Sequence, residues 1–256
     1  MVKPTTRSLW IHTYSQPAVD AMPATPVRFG AFERAIEPAV NPQADARATA
    51  GAIAPAGRMY RGLTPDERRA VRRQRLLDVG LASFGTVGFG ATTIEQLCSD
   101  AGVTPRHFYE AFSSREALLL AVYDEAVRFT HEAAQAAVAA AGRDPKIRTR
   151  ASIEAFVHAM CDDPRRARVL CIEGVLSGEF ERHRREVIHT FGDLIAAQMR
   201  ELAPNVDTPP RIRPMVLLGV IHELVVEWLL SDSPPPLDQL IDELTGFWLA
   251  ASQLPA

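Results

Sequence analysis

Residues that could contact nucleic acid are concentrated in one stretch, TTIEQLCSDAGVTPRHFYEAF, which runs from Thr92 to Phe112. Hydroxyls and amides at helix starts favour phosphate because the helix dipole attracts anions. Arg is the commonest side chain that binds guanine through two hydrogen bonds, and a Tyr hydroxyl can reach phosphate while its ring packs. We therefore predict a surface for double-stranded DNA formed by Thr92, Thr93, Thr104, Arg106, Tyr109 and Arg115.

Two short helices must position these side chains. The first has apolar residues at helical spacing, namely Ile94, Leu97, Cys98 and Ala101. Gly102 ends it, and Thr104 followed by Pro105 begins the second. Two short helices joined by a tight turn containing Gly are typical of a helix-turn-helix, whose second helix enters the major groove. Helical hairpins of this length also occur in proteins that bind no DNA, so the spacing leaves that interpretation open.

The flanking segments also read as helices. Thr64, Pro65 and Glu67 form a predicted capping box at the start of a helix whose first half is crowded with basic residues. Downstream, Ser114 offers an N-cap for a long helix from Arg115 to about Ala141. The pair of short helices is therefore expected to lie between two longer ones.

The remainder of the chain keeps helical periodicity, and no segment shows strand-like alternation. The expected helices cover 144–160, about 169–202 after a turn at 162–168, about 211–230, and 237–254. The predicted fold is all-α with about nine helices.

Composition divides the chain into three expected parts. Residues 1–60 are rich in Ala and Pro without sustained periodicity, which predicts a disordered N-terminal extension. Residues 61–114 would form a three-helix DNA-binding domain, and residues 115–256 a larger helical domain. The formal net charge is only −3, so DNA affinity must come from a local basic patch.

Several classes of function are disfavoured. No signal-peptide core or apolar run of membrane-spanning length occurs, which predicts a cytoplasmic protein without a membrane partner. The seven histidines are dispersed, and no HExxH, GxSxG or Walker loop is present, so we expect neither an enzyme nor a metal or other cofactor. The three cysteines form no CxxC pair and are expected to be reduced, buried thiols. Redox sensing by Cys161 and Cys171 is the alternative.

The run from Leu76 to Leu120 resembles the DNA-binding domain of TetR-type transcriptional repressors. The resemblance lies in the Gly88-Phe89 pair, the Thr92-Thr93 pair, the turn from Ala101 to Thr104, the aromatic residues Phe108, Tyr109 and Phe112, and the Ser114-Arg115-Glu116 helix start. The resemblance also places Pro105 and His107 among the DNA-contacting residues, at variable recognition positions. Arg115 stands where the family usually has Lys, which keeps a phosphate contact. The leader is longer than the family norm, and Arg58 and Arg61 at its end could form a minor-groove arm.

The resemblance implies a homodimeric repressor that binds a palindromic operator and is released by a small-molecule inducer, with residues 115–256 as its ligand-binding and dimerisation domain. Its last two helices would form the dimer interface through Leu224, Trp228, Leu240, Leu244, Phe247 and Trp248, although ordinary core is nearly as good an interpretation of these residues.

An inducer, hydrophobic or aromatic, would bind in a mostly apolar cavity in the helical bundle. The candidate pocket residues are Phe129, Phe156, His158, Met160, Glu173, His189, Phe191, Met199, His222 and Glu223. The alternative function is a helical ligand-binding or protein-interaction module that has lost specific DNA binding.

Overall fold

The computed structural model describes residues 64–173, 178–205 and 212–254. Within these ranges the chain forms nine α-helices and no β-strand, which confirms the predicted fold class. They are α1 (Pro65–Phe84), α2 (Ile94–Ala101), α3 (Pro105–Ala111), α4 (Arg115–Ala140), α5 (Pro145–Cys161), α6 (Pro164–Cys171), α7 (Gly178–Leu202), α8 (Ile212–Leu230) and α9 (Leu237–Ser252). The predicted N-terminal extension, with Arg58 and Arg61, lies outside the described residues.

Side-chain caps fix where the first helices begin. The Thr64 hydroxyl accepts from the Glu67 amide at 3.2 Å, and the Glu67 carboxylate accepts from the Thr64 amide at 2.6 Å, which confirms the predicted capping box. Thr93 and Gln96 form a second capping box at α2. Thr104 caps α3 with Pro105 in its first turn, and Ser114 caps α4.

One hydrophobic core joins α1, α2 and α3 to the first half of α4. Phe84, Phe108 and Phe112 are fully buried, as are Leu97 of α2 and Leu118 of α4. The same cluster includes residues near the start of α7. The two short helices therefore have no separate core, and α4 and α7 hold them in place.

A second core lies among α5, the C-terminal half of α7, α8 and α9. Its fully buried side chains include Val157, Met199, Val225 and Ile241, which come from these four helices in turn. Leu170 at the end of α6 packs against both cores. The short helix α6 thus lies between the part of the molecule that carries α1–α3 and the part that carries α5 and α8.

The predicted helix over about 169–202 is wrong at its start. Asp163 caps a separate helix with Pro164 in its first turn, so α6 forms where a turn was expected. The chain turns at Ile172 and Glu173, and α7 begins at Gly178. Glu173 turns away from the helix because its carboxylate binds a distant backbone amide, a tertiary contact that helical periodicity does not report.

The three cysteines have the structural role expected of them. Cys98 and Cys161 are buried, Cys171 is half-buried, and all three are free thiols. Burial raises the pKa of the Cys161 and Cys171 thiols to about 12, so both are protonated and poorly nucleophilic at neutral pH. Redox sensing is therefore disfavoured. None of the helices in the described part of the chain is both long and apolar enough to cross a membrane.

Candidate DNA-binding surface and ligand cavity

The turn between α2 and α3 is set by Gly102. Its φ of +64° lies in the left-handed region that glycine adopts without a Cβ penalty. The amide of Val103 donates to the Cys98 carbonyl at 2.9 Å, which closes the end of α2. Phe108 is then fully buried, so the opposite face of α3 is directed outward.

The exposed face of α3 carries Arg106 and Tyr109. The Arg106 guanidinium donates to Glu110 at 3.1 Å, but its side chain remains 87% exposed. An exposed pair at this helical spacing contributes only about 0.3–0.5 kcal/mol, so DNA can compete for the guanidinium. Tyr109 is 53% exposed and packs edge-on against Phe108, with ring centroids 5.5 Å apart. Both side chains can therefore reach a partner outside the chain.

Three other predicted DNA-contacting residues lie at helix starts near this face. Thr104 and Pro105 are exposed at the start of α3. His107 is half-buried, and its Nδ1 lies 3.1 Å from the Thr104 hydroxyl. The hydroxyl of Thr104 also caps the His107 amide, so this threonine orders the first turn of α3.

A shallow depression of about 360 Å³ lies where the starts of α2 and α4 meet the end of α3. Thr93, Tyr109, Ser114 and Arg115 are among the residues that line it. Two helix N-termini and an arginine converge here, which is the chemistry that a phosphate group needs.

The structure corrects the assignment of Thr92. Its side chain is only 1% exposed, and its hydroxyl donates to the Gly88 carbonyl at 2.8 Å. Its own carbonyl accepts from the Arg115 guanidinium, which lies 4.1 Å from the centre of the Phe89 ring. Thr92 therefore stabilises the loop before α2, and Arg115 is partly engaged within the chain.

A large cavity lies away from this surface, among α4, α5, α7, α8 and α9. Its volume is about 770 Å³, within the usual range for small-molecule sites. Its walls are mainly apolar, with Phe156, Phe191, Leu218 and Trp248 among the large side chains. A smaller cavity of about 280 Å³ shares Phe156, Phe191, Leu218 and also Ile221 with it and reaches Leu170 and Cys171 of α6.

Four of the predicted pocket residues line these cavities. Phe156 and Phe191 contribute to both, and their rings meet edge-on at 5.8 Å. Met160 and His222 line the smaller cavity. The His222 imidazole lies 3.2 Å from the Cys171 carbonyl, which ties α8 to the end of α6.

The other six predicted pocket residues lie elsewhere. Phe129 is exposed beneath the Arg166 guanidinium, and His158 pairs with Asp162 at the end of α5. Glu173 binds the loop after α1, Met199 is fully buried core, and Glu223 is exposed. His189 is half-buried but lines neither cavity. Whether such a residue lines a cavity depends on the direction that its side chain takes at the edge of a long helix. The sequence alone does not give that direction.

Several cavity residues escaped the sequence interpretation. Trp248 was assigned to an interface, whereas it is 4% exposed and lines the larger cavity. Arg148 and Glu201 also line it and form an ion pair of 2.7 Å. These two residues lie 53 positions apart in the sequence and meet only in the folded chain, so no local motif predicts their ion pair.

The residues that line the larger cavity carry almost no net charge. His131 lines it, is 7% exposed, and has a pKa lowered to about 4 because burial disfavours the charged imidazolium. Since Arg148 and Glu201 neutralise each other, the described lining residues present no uncompensated charge at neutral pH.

The dimer-interface assignments need a similar correction. Leu240, Leu244 and Trp248 are buried within the chain and hold α9 in the second core. Leu224 and Trp228 are half-buried, and the Trp228 indole donates to the Pro235 carbonyl at 3.0 Å. Only Phe247 of the predicted set is an exposed large apolar residue. Half of the predicted set is therefore core, the alternative that the sequence left open.

Glu173 connects α6 to the loop that follows α1. Its buried carboxylate accepts from the Phe89 amide at 2.8 Å and from the Arg168 guanidinium at 2.8 Å. Gly88 has a φ of +92°, and a Cβ there would lie 3.3 Å from both carboxylate oxygens. Glu173, which follows α6, therefore contacts the loop after α1 at the Gly88-Phe89 pair.

The exposed helix-turn-helix is a candidate DNA-binding element, and comparisons with known proteins show which family its sequence resembles. Residues 76–122 match the family described as bacterial regulatory proteins, tetR family. The chain is 27% identical over 205 residues to the HTH-type transcriptional regulator EthR of Mycolicibacterium smegmatis, a match that covers 76% of this chain and 90% of the relative. These matches support a TetR-type regulator.

Solved structures show the same fold. The fatty acid degradation regulator FadR from Bacillus halodurans aligns with a TM-score of 0.62 and 17% identity, over 70% of this chain and 94% of that one. FadR from Bacillus subtilis, solved in complex with stearoyl-CoA, has a TM-score of 0.62 and 16% identity, over 70% of this chain and 98% of that one. At these identities the likeness concerns the fold.

Proposed function

We propose that the protein is a homodimeric repressor that binds a palindromic operator and is released by a small molecule bound in the larger cavity. The observation that carries this proposal is the pairing of an exposed helix-turn-helix with a separate apolar cavity of about 770 Å³ in one chain. A single polypeptide can then couple an effector to DNA affinity, provided that the two sites are linked energetically.

We infer that α6 is the linking element. Its C-terminal end lines the smaller cavity through Leu170 and Cys171, and Glu173 just beyond it binds the Phe89 amide. A Cβ on Gly85 would lie 2.4 Å from the Arg165 Cβ, so α6 lies directly against the end of α1. Movement of α6 would therefore move the loop that precedes α2. The long helix α4 also contacts both parts, because its first half belongs to the first core and its later residues line the larger cavity.

A dimer is supported by the exposed surfaces of α8 and α9. Val216, Leu230 and Phe247 are exposed apolar residues on these helices. Gly219 and Gly246 lie within them with open space where a Cβ would be. Gly in a helix interior makes the helix less stable than Ala would, by up to about 1 kcal/mol. Close approach of a second copy, which a side chain would prevent, would explain glycine at these positions. Two copies would present two α3 helices to successive turns of DNA.

A small-molecule effector is supported by the cavity and by one structural relative, since FadR from Bacillus subtilis was solved with stearoyl-CoA. The mainly apolar walls formed by residues such as Leu194, Leu218 and Ile221 suit a hydrophobic molecule.

The test is selection of bound DNA from a pool of random duplexes with the purified protein. An enriched inverted repeat is the expected result, because a two-fold symmetric dimer reads two equivalent half-sites. Its affinity should fall steeply with salt as phosphate contacts release counterions. A folded dimer that enriches no sequence, after removal of bound small molecules by partial unfolding and refolding, would contradict operator binding and favour a ligand-binding module.

A further inference from the structure

Two cavities lie side by side in the helical bundle and share one wall. Phe156, Phe191, Leu218 and Ile221 line both the larger cavity of about 770 Å³ and the smaller cavity of about 280 Å³. The rings of Phe156 and Phe191 meet edge-on in this wall, with their centroids 5.8 Å apart. Both residues are half-buried and border cavity space, so their rings can change rotamer more freely than rings in a close-packed core. The wall can therefore open to a slim group that passes from one cavity into the other.

The smaller cavity is lined chiefly by aliphatic and thioether side chains from five helices. The residues that it does not share with the larger cavity include Val127 of α4, Met160 of α5, Leu170 of α6, Val187 and Ile188 of α7, and Met215 of α8. Transfer of apolar surface from water into such surroundings is favourable in rough proportion to the area removed from water. An unbranched alkyl group matches these walls chemically and is slim enough to pass between two aromatic rings.

Among the helices around the smaller cavity, α6 is the shortest. It has 8 residues, of which Ala167 and Val169 are buried. The helices α4, α7 and α8, which line the same cavity, have 26, 25 and 19 residues. A short element with few buried apolar contacts is displaced at a lower cost in free energy than a long helix anchored in a core. The wall formed by α6 is therefore the one that yields most readily to a group placed in the cavity.

The end of α6 also connects this wall to the DNA-binding part of the chain. The Cys171 carbonyl lies 3.2 Å from the imidazole of His222, an exposed residue of α8, and this contact holds the end of α6 against α8. Glu173, just beyond, accepts a hydrogen bond from the Phe89 amide in the loop before α2. A group that fills the smaller cavity would push the end of α6 away from α8 and would carry that loop with it.

We propose that the smaller cavity is the compartment through which an effector acts: an unbranched alkyl group enters it between Phe156 and Phe191, displaces the end of α6 and lowers the affinity for DNA. The rest of the effector lies in the larger cavity. This inference rests on the proposed function for operator binding and release, and it adds which compartment controls release and the chemical class of the group that fills it. Affinity for the effector then depends on both cavities, whereas release of DNA depends on the smaller one.

A side chain can fill the smaller cavity in place of a ligand. Ile188 is half-buried, lines this cavity but not the larger one, and belongs to neither hydrophobic core, so Ile188→Trp adds bulk to the cavity without overpacking a core. Val138→Trp is the matched control, because Val138 is also half-buried, belongs to neither core and lines the larger cavity but not the smaller one. Thermal unfolding checks that both variants fold.

The two variants are compared by fluorescence anisotropy with the selected duplex and no ligand. We expect Ile188→Trp to bind the duplex at least about fivefold more weakly than the unaltered protein, and Val138→Trp to bind it within about twofold of the unaltered protein. Unchanged affinity in Ile188→Trp overturns the proposal. An equal loss in Val138→Trp also overturns it, because the effect would then not be specific to the smaller cavity.

Decan-1-ol serves as the ligand probe, because it is an uncharged molecule with one unbranched alkyl chain. Isothermal titration calorimetry gives its affinity for the protein, and anisotropy gives the affinity of the duplex for the saturated protein. We expect saturation to weaken duplex binding by the unaltered protein at least about fivefold. In Ile188→Trp, decan-1-ol should bind more weakly and cause no further loss of duplex affinity. Failure of decan-1-ol to bind the unaltered protein, or an equal further loss in Ile188→Trp, overturns the proposal.

Methionine methyl signals show which cavity decan-1-ol fills and keep the test sharp if Ile188→Trp fails to fold. Met160 and Met215 line the smaller cavity but not the larger one, whereas Met199 is fully buried and lines neither. The signals of the protein labelled with ¹³C-methyl methionine are assigned with Met160→Leu, Met199→Leu and Met215→Leu. Decan-1-ol should shift the Met160 and Met215 signals in the unaltered protein and leave that of Met199 in place. Binding without a shift at Met160 and Met215, or such a shift without loss of duplex affinity, overturns the proposal.

Selection of DNA from random duplexes tests operator binding separately. If an inverted repeat is enriched and Ile188→Trp binds it normally, this inference fails while the proposed function stands. If a folded, ligand-free dimer enriches no sequence, the proposed function fails, whatever the methionine signals show about the smaller cavity.

Discussion

At the scale of single residues, α3 separates side chains that hold the fold from side chains that can contact DNA. Phe108 and Phe112 are buried, whereas Arg106 and Tyr109 are exposed. The sequence predicts this division because apolar residues recur at helical spacing and polar residues occupy the positions between them. It did not predict that Thr92 would be buried, since two adjacent threonines are equally good caps and only the loop geometry chooses Thr93.

The exposed side chains of α3 should affect DNA binding without affecting folding. Tyr109→Ala is expected to weaken operator binding, by about 1–2 kcal/mol, and Arg106→Ala should cost about 1–3 kcal/mol and relax the preference at one base position. Binding is measured by fluorescence anisotropy with the selected duplex and with single-base variants of it. Thermal unfolding serves as the control, and a large loss of stability in either variant would show that the side chain belongs to the core.

His131 should make the protein less stable in acid. Its folded-state pKa of about 4 lies below the unfolded value of 6.5, so the folded protein binds fewer protons at this site. The stability that the neutral ring contributes is present above pH 6.5 and is lost as the pH falls towards 4. Linkage gives a loss of about 2 kcal/mol between pH 7 and pH 5 from this group. Urea unfolding of the protein and of His131→Gln measures it, and an unchanged pH slope in the variant would contradict the assignment.

At the scale of helices, α6 is the element that the sequence interpretation missed, and its Leu170 packs against both cores. Eight residues with a modest apolar pattern looked like a turn, and the Asp163 and Pro164 start signal was overlooked. Most other helix bounds followed from caps and periodicity. The cavity did not, because it depends on how five helices pack and on pairs such as Arg148 with Glu201, which are distant in sequence.

The contact between α6 and α1 should be sensitive to a single methyl group. Gly85→Ala would bring the new Cβ within 2.4–2.7 Å of the Cβ, Cα and carbonyl oxygen of Arg165, so the helices must separate. We expect a loss of about 1–3 kcal/mol in the free energy of unfolding and a weaker response of operator affinity to effector. Gly90→Ala is the matched control, because nothing lies within 4 Å of a Cβ there. Equal stability of the two variants, measured by urea unfolding, would contradict the close approach.

At the scale of the whole molecule, the candidate DNA-binding surface and the ligand cavity lie in different parts of the chain, each packed around its own core. The candidate DNA-binding surface lies on α1–α3 with the start of α4, and the cavity lies in the bundle from α4 to α9. The net charge of −3 fits this division, because only a local basic surface is required. The all-α class and the position of the helix-turn-helix could be predicted from sequence, whereas the surface available for dimerisation emerged only from burial.

The exposed faces of α8 and α9 should control assembly. Gly246→Leu adds a side chain to open space within one chain, so the monomer should fold and its helix should gain propensity. In a dimer packed on this face the same side chain would hold the helices apart and raise the dimer dissociation constant by at least tenfold. Analytical ultracentrifugation measures this, with Glu154→Leu on the exposed face of α5 as the control. Dimers of unchanged affinity in Gly246→Leu would place the interface elsewhere.

The central claim is that occupancy of the cavity changes affinity for DNA, and one titration tests it most directly. The affinity of the selected duplex is measured by fluorescence anisotropy with the protein alone and with the protein saturated by a small apolar compound whose binding has been established by calorimetry. We predict that the duplex binds about 5–150-fold more weakly to the loaded protein, the range that a coupling of 1–3 kcal/mol gives. Unchanged affinity at full occupancy would contradict the claim, because the two sites would then be energetically independent.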